Sequence, residues 1–193
     1  MASQIKVNEI IKQSGSSITI GESGDTINIG TTGDTINLAG SAYAAAGTNT
    51  PYFEAKMGST QTLTDATWTK LNFDTEVFDS ASAYNTSTYR FTPQTAGKYL
   101  CYVMIFFDAQ GVDKFHRSYG NIYKNGSSYK ESGFDFYDNY YAYATSNTFS
   151  TIIDFNGSSD YIEAYAYFDV TSGTGRINSN TNSIFGAYKL IGA

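Results

Sequence analysis

Leu100-Cys101-Tyr102-Val103-Met104-Ile105-Phe106-Phe107 is a long, unbroken apolar run, and its reading sets the class of everything around it. Its residues are aliphatic and aromatic, Gly97 stands just ahead of it, and it is too short to cross a bilayer. It predicts a strand over 99–107. A strand without polar alternation is expected to be buried on both faces. Cys101, the only cysteine, then reads as a buried, inert thiol, and no intrachain disulfide can form.

Outward from this run, strand follows strand. On its N-terminal side Phe53, Ala55 and Met57 alternate, as do Leu71 and Phe73, and then Tyr89 and Phe91 ahead of Pro93. On its C-terminal side Ile122 and Tyr123 lead into Lys124-Asn125-Gly126-Ser127, an Asn-Gly hairpin signal. Phe149, Ile152, Ile153 and Phe155 run into Asn156-Gly157-Ser158, and a further strand follows over 161–168. Residues 183–191 close the chain as a last strand. This region shows no convincing helix. Aromatic residues make up 16% of the chain, including 17 Tyr and 13 Phe, while charged residues supply another 16%. Eight to ten short strands with regular turn spacing predict an all-β sandwich, best read as a jelly roll.

Motifs in this region carry a family resemblance. Tyr84-Asn85-Thr86-Ser87-Thr88-Tyr89-Arg90-Phe91 is similar to the Tyr-Asp/Asn-x-x-Thr-Gly-x-Phe of the C1q/TNF-type jelly-roll family, with Tyr89 in place of the glycine. The segment from Phe91 through Pro93 and Gly97 to Tyr99 resembles its Phe-x-x-Pro-x-x-Gly-x-Tyr, with the proline displaced by one position. Lys124-Asn125-Gly126 matches its hairpin, and Ser159-Asp160-Tyr161-Ile162 resembles its Gly-Asp-x-Val before a late strand. Ser183-Ile184-Phe185-Gly186 through Leu190 is similar to its terminal motif, one residue short. The resemblance covers 53–193 and implies a compact trimeric head. No collagen repeat precedes it.

Nine-residue repeats stand where that stalk would be. Units beginning at Gly15, Gly24 and Gly33 place Ile18, Ile27 and Ile36 at one position, and Ile20, Ile29 and Leu38 two residues later. Apolar residues two apart share one face of a strand, so each unit reads as a short strand and a turn. Six aliphatic side chains cannot offset the entropy of ordering such a ribbon alone. Three chains around one axis supply the missing partners, and a trimeric β shaft over 15–41 is the expectation; an ordinary meander or a Gly/Ser/Thr linker is the plainer alternative. A calcium-binding solenoid fits poorly, because the Gly-Gly-x-Gly-x-Asp pattern is absent. Residues 1–14, with Ile5, Val7, Ile10 and Ile11, fit either a frayed terminus or a docking peptide. Residues 42–52 read as a hinge. The N-terminal segment and repeats are also similar in style to fibre and other virion proteins of marine bacteriophages.

The chemistry a catalyst needs is sparse. His116 is the only histidine, no Gly-x-Ser-x-Gly surrounds a serine, no phosphate-binding glycine loop occurs, and the carboxylates are scattered. The expectation is no enzyme, with no catalytic residues, metal or cofactor assigned. A net charge of −6 with a pI near 4.6 argues against nucleic acid and anionic membranes. The N-terminus lacks the apolar core of a secretory signal, so assembly in a host cytoplasm is expected. Phe134-Asp135-Phe136-Tyr137-Asp138-Asn139-Tyr140-Tyr141-Ala142-Tyr143 is the candidate contact segment, with Tyr137, Asp138, Asn139, Tyr140 and Tyr141 at its turn. Tyrosine faces beside Asp and Asn suit sugar rings or a protein surface. Phe134 and Phe136 read rather as core or trimer-interface residues. The resemblance also raises calcium near a trimer apex, where Asp135 and Asp138 match no recognised loop.

Together these features predict a structural virion protein of a bacteriophage. It would be a homotrimeric fibre or spike, bound to other virion proteins through 1–14, whose head contacts a host-surface glycan or protein. Alternatives are a capsid decoration or assembly protein without a receptor, and a secreted C1q-like lectin or ligand.

Overall fold

The computed structural model describes residues 49–110, 115–136, 141–179 and 182–191. The repeat residues Ile18, Ile20, Ile27, Ile29, Ile36 and Leu38 lie outside them, as do Tyr137, Asp138, Asn139 and Tyr140. Among the described residues there is no helix. The strands are β1 (Tyr52–Lys56), β2 (Gln61–Thr62), β3 (Thr69–Lys70), β4 (Thr75–Asp79), β5 (Tyr84–Asn85), β6 (Arg90–Phe91), β7 (Gly97–Asp108), β8 (Phe115–Lys124), β9 (Ser127–Asp135), β10 (Ala144–Phe155), β11 (Ile162–Val170), β12 (Arg176–Ile177) and β13 (Ile184–Lys189). These thirteen strands among the described residues exceed the eight to ten expected; the excess lies in two-residue strands, β2, β3, β5, β6 and β12. β1 begins at Tyr52, inside the segment read as a hinge.

The larger sheet has the order β2-β12-β7-β13-β1-β4, with β10 along the other edge of β7. The smaller has β5-β6-β11-β8-β9, with β3 also on β11. Every pairing is antiparallel, and the two sheets bury one face each against the other. Aromatic rings fill the space between them. Phe53 stacks on Phe91 at 4.3 Å and on Tyr84 at 4.7 Å, and Phe107 meets Phe168 at 5.1 Å. Tyr84 turns its hydroxyl to the Phe73 carbonyl at 2.7 Å, so the buried polar tip is satisfied.

The central strand departs from expectation. β7 buries Tyr99, Cys101, Val103, Ile105 and Phe107 completely, while Leu100 is 39% exposed and Tyr102, Met104 and Phe106 are half-buried. The sandwich has only two layers, so nothing within the described residues covers the outer face.

Tyr89 is a second correction. It does not alternate with Phe91 along a strand but sits at φ 56° in a tight turn, its N–H donating to the Asn85 carbonyl at 2.7 Å. Asn85 Oδ1 accepts from the amides of Ser87 and Thr88, both at 2.9 Å. The left-handed conformation a glycine takes freely is held here by an Asx-type turn around a tyrosine.

The expected Asn-Gly hairpin is present, with Asn125 at φ 53° and Gly126 at φ 78° joining β8 to β9. Two separate motifs meet at it. Asn125 Nδ2 donates to Asp160 Oδ1 at 2.8 Å, its Oδ1 accepts from the Tyr161 amide at 2.9 Å, and Lys124 Nζ lies 2.9 Å from Asp160 Oδ2.

Candidate functional site

The outward face of the larger sheet is the clearest candidate surface. Alternation in β7 sends Leu100, Tyr102, Met104 and Phe106 away from the core. Strand register then places Ile152 opposite Leu100, Ile184 opposite Met104, Tyr188 opposite Leu100 on the other edge, and Tyr52 opposite Tyr188. The aromatic members form a ladder across four strands. Phe78 lies 5.6 Å from Tyr52, Tyr52 stacks on Tyr188 at 5.5 Å, and Tyr188 stacks on Tyr102 at 6.1 Å. Ile152 is 52% exposed. Contiguous apolar surface rimmed by charge marks an interface, and here Lys98 and Asp154 stand opposite each other in the register at one end of the face.

Tyr102 is held in a fixed pose. Its hydroxyl donates to Glu54 Oε2 at 2.7 Å, and a Cβ on Gly186 would collide with its ring. The ring therefore lies across β13 at the one residue with no side chain. Burial first, and then the bond to Glu54, hold the Tyr102 phenol well above its ordinary titration range. The face thus offers a neutral hydroxyl and the Glu54 carboxylate among apolar groups, with Lys98 and Asp154 at one end. That chemistry suits association with another apolar surface.

Of the contact residues named from sequence, Tyr141 alone is described. It is 38% exposed, with its ring 4.8 Å from that of His116. Phe134 is not a core residue, being 49% exposed on the edge strand β9. Phe136 does pack against the core, 5.5 Å from Phe115. Cys101 is fully buried and free, and burial pushes its thiol far above the usual range, as expected of an inert thiol. Among the described residues no three His, Cys, Asp or Glu side chains gather in a way that could hold a metal.

The sequence reading missed the outer face of β7, because an unbroken apolar run hides which half of it the fold covers. The pairing of Tyr188 with Tyr52 and Tyr102 was likewise invisible before the register was known.

No protein-family model matches the sequence, and a search of curated proteins finds no match. Solved structures do match. Murine APRIL at pH 5.0 aligns with a TM-score of 0.54 at 10% identity, covering 72% of this chain and 98% of that one. Eiger TNF from S. frugiperda aligns at 0.51 and 14% identity, covering 74% and 92%. The globular domain of zebrafish complement 1qA aligns at 0.50 and 12% identity, covering 72% and 97%. The fold is therefore a TNF/C1q-like jelly roll, as the five motifs implied. At these identities the likeness establishes the fold alone. Among the described residues no helix is long and apolar enough to cross a membrane.

Proposed function

We propose that this chain is a non-enzymatic, homotrimeric head carried on a repetitive β shaft, serving as a fibre or spike of a bacteriophage virion that contacts the host surface. The observation that carries self-association is the apolar outer face around Leu100, Tyr102, Met104 and Ile152, which a single chain leaves partly in water. Two further chains presenting the same face would cover it at little cost, since its rings are already locked by Gly186, Glu54 and their neighbours. The TNF/C1q-like fold supports the same reading. The isoleucine repeats would supply the shaft and 1–14 the attachment to other virion proteins. Clustered copies would give avidity to weak single contacts.

Sedimentation equilibrium of the full chain tests the association. Trimers are expected, and Leu100→Glu with Met104→Glu should yield monomers that keep the wild-type β-sheet circular dichroism. A monodisperse monomer of the natural sequence overturns the reading. Imaging of intact particles tests the setting: heads projecting into solvent support a fibre or spike, whereas heads packed over capsomer seams would indicate a decoration protein.

A further inference from the structure

On the opposite side of the molecule, the outer face of the smaller sheet carries a second, differently built feature. Alternation in β11 buries Ala164, Ala166 and Phe168 and turns Tyr165 and Tyr167 outward. In β8 the same rule turns Arg117, Tyr119 and Tyr123 outward. The segment ahead of β3 brings Trp68, the only tryptophan of the chain, against them. Its ring lies 5.7 Å from Tyr167, 6.4 Å from Tyr123 and 6.5 Å from Tyr119, tilted by 51°, 53° and 40°. Tilted rings leave their faces partly open, unlike a closed stack.

Polar groups line the other side. Arg117 Nε lies 3.3 Å from Asp135 Oδ1, and the Tyr119 hydroxyl donates to Asp135 Oδ2 at 3.2 Å. Trp68, Arg117, Tyr119, Glu131, Asp135 and Tyr167 enclose an open groove of about 430 Å³, inside the range of small-ligand sites, about 300–1,000 Å³.

Two details show that this groove is built. Gly133 sits opposite Tyr119 in the β8–β9 register, and a Cβ there would strike the Tyr119 ring. A glycine in a strand interior weakens it, and here it lets that ring lie flat across β9. Asn121, only 1% exposed on the same face, reaches Ser128 Oγ at 2.7 Å and Glu131 Oε2 at 3.4 Å with its Nδ2. The second contact steadies the side chain of Glu131, which lines the groove.

We infer that this groove binds a neutral saccharide. A sugar ring presents C–H faces to aromatic walls and hydroxyls to acceptors and donors, the combination found here in Trp68, Tyr119 and Tyr167 facing Glu131, Asp135 and Arg117. With two carboxylates against one guanidinium the groove carries net negative charge, and so does the whole chain at −6, which repels sialylated or sulfated glycans. The site lies on the sheet opposite the apolar association face, so the assignment does not depend on the oligomeric or virion reading.

Trp68 is itself the reporter. The full chain is titrated with methyl galactoside, methyl mannoside, N-acetylglucosamine and their short oligomers, with sialyllactose as the anionic comparison, following tryptophan emission and heat. A saturable emission shift with at least one neutral probe is expected, together with its absence for sialyllactose. Calorimetric affinity should fall at least about tenfold in Trp68→Ala and should also fall in Asp135→Asn, while Val77→Ser on the larger sheet binds as wild type. Circular dichroism of each variant separates lost binding from lost fold. No saturable response to any neutral probe, preferential binding of sialyllactose, or wild-type affinity in a folded Trp68→Ala overturns the inference.

Discussion

Glu163 Oε1 receives Arg90 Nε at 2.8 Å and, on the same oxygen, Lys70 Nζ at 2.9 Å. The carboxylate is 2% exposed, whereas the two cations are 40% and 31% exposed. Through these two bonds Glu163 of β11 ties down β6 and β3, and the Arg90 guanidinium also covers the Tyr161 ring at 4.1 Å. The asymmetry in burial makes the three residues unequal. Glu163→Gln leaves two cations that water can hydrate and should cost about 1–2 kcal/mol. Arg90→Met with Lys70→Met strands a buried carboxylate and should cost about 3–5 kcal/mol. Urea unfolding midpoints of the two variants decide the order.

Acid should loosen the fold through two carboxylates. Burial alone would raise Asp108, but bonds from Asn178, the Gln110 amide and Arg176 outweigh it and hold it below the usual range. Asp160 is lowered by bonds from Asn125 and Lys124, against a smaller opposing effect of burial. With the folded values below the unfolded reference of about 3.9, the unfolded chain binds protons first. The stabilisation is therefore present above about pH 4 and lost as pH falls through the folded values. Unfolding free energy measured from pH 7 to pH 2 should show this decline, and Asp108→Asn with Asp160→Asn should flatten it.

Two turn glycines should respond differently to alanine. Both have positive φ, 72° at Gly157 and 78° at Gly126. At Gly126 an added Cβ meets only the Tyr161 hydroxyl at 3.5 Å, so the cost is the left-handed backbone, about 1–2 kcal/mol. At Gly157 it also runs into the backbone of Thr95 and Ala96, which cannot step aside. Thermal melts should therefore place Gly157→Ala clearly below Gly126→Ala.

Cys101 should be silent in the folded protein. A disulfide-exchange reagent should release colour only as the chain unfolds, at the rate of unfolding, because the thiol is fully buried and desolvation keeps it protonated. Rapid labelling under native conditions would place Cys101 elsewhere.

Much of the architecture was legible because its causes are local. Alternation at Phe53, Ala55 and Met57 marks a strand with one buried face, and all three are core residues. Asn125-Gly126 dictates a tight hairpin through its backbone conformation alone, and the five spaced motifs identified the jelly roll that solved structures match. Periodicity reports which side chains are apolar, not how many layers will cover them, so β7 read as doubly buried when one of its faces is open. Tyr89 misled because a turn held by Asn85 looks, in sequence, like the start of a strand. The groove needed the tertiary structure entirely. Trp68, Tyr119, Glu131, Asp135 and Tyr167 meet through the pairing of β3 with β11, β11 with β8, and β8 with β9, and register between distant strands is settled by the packing of the whole sandwich.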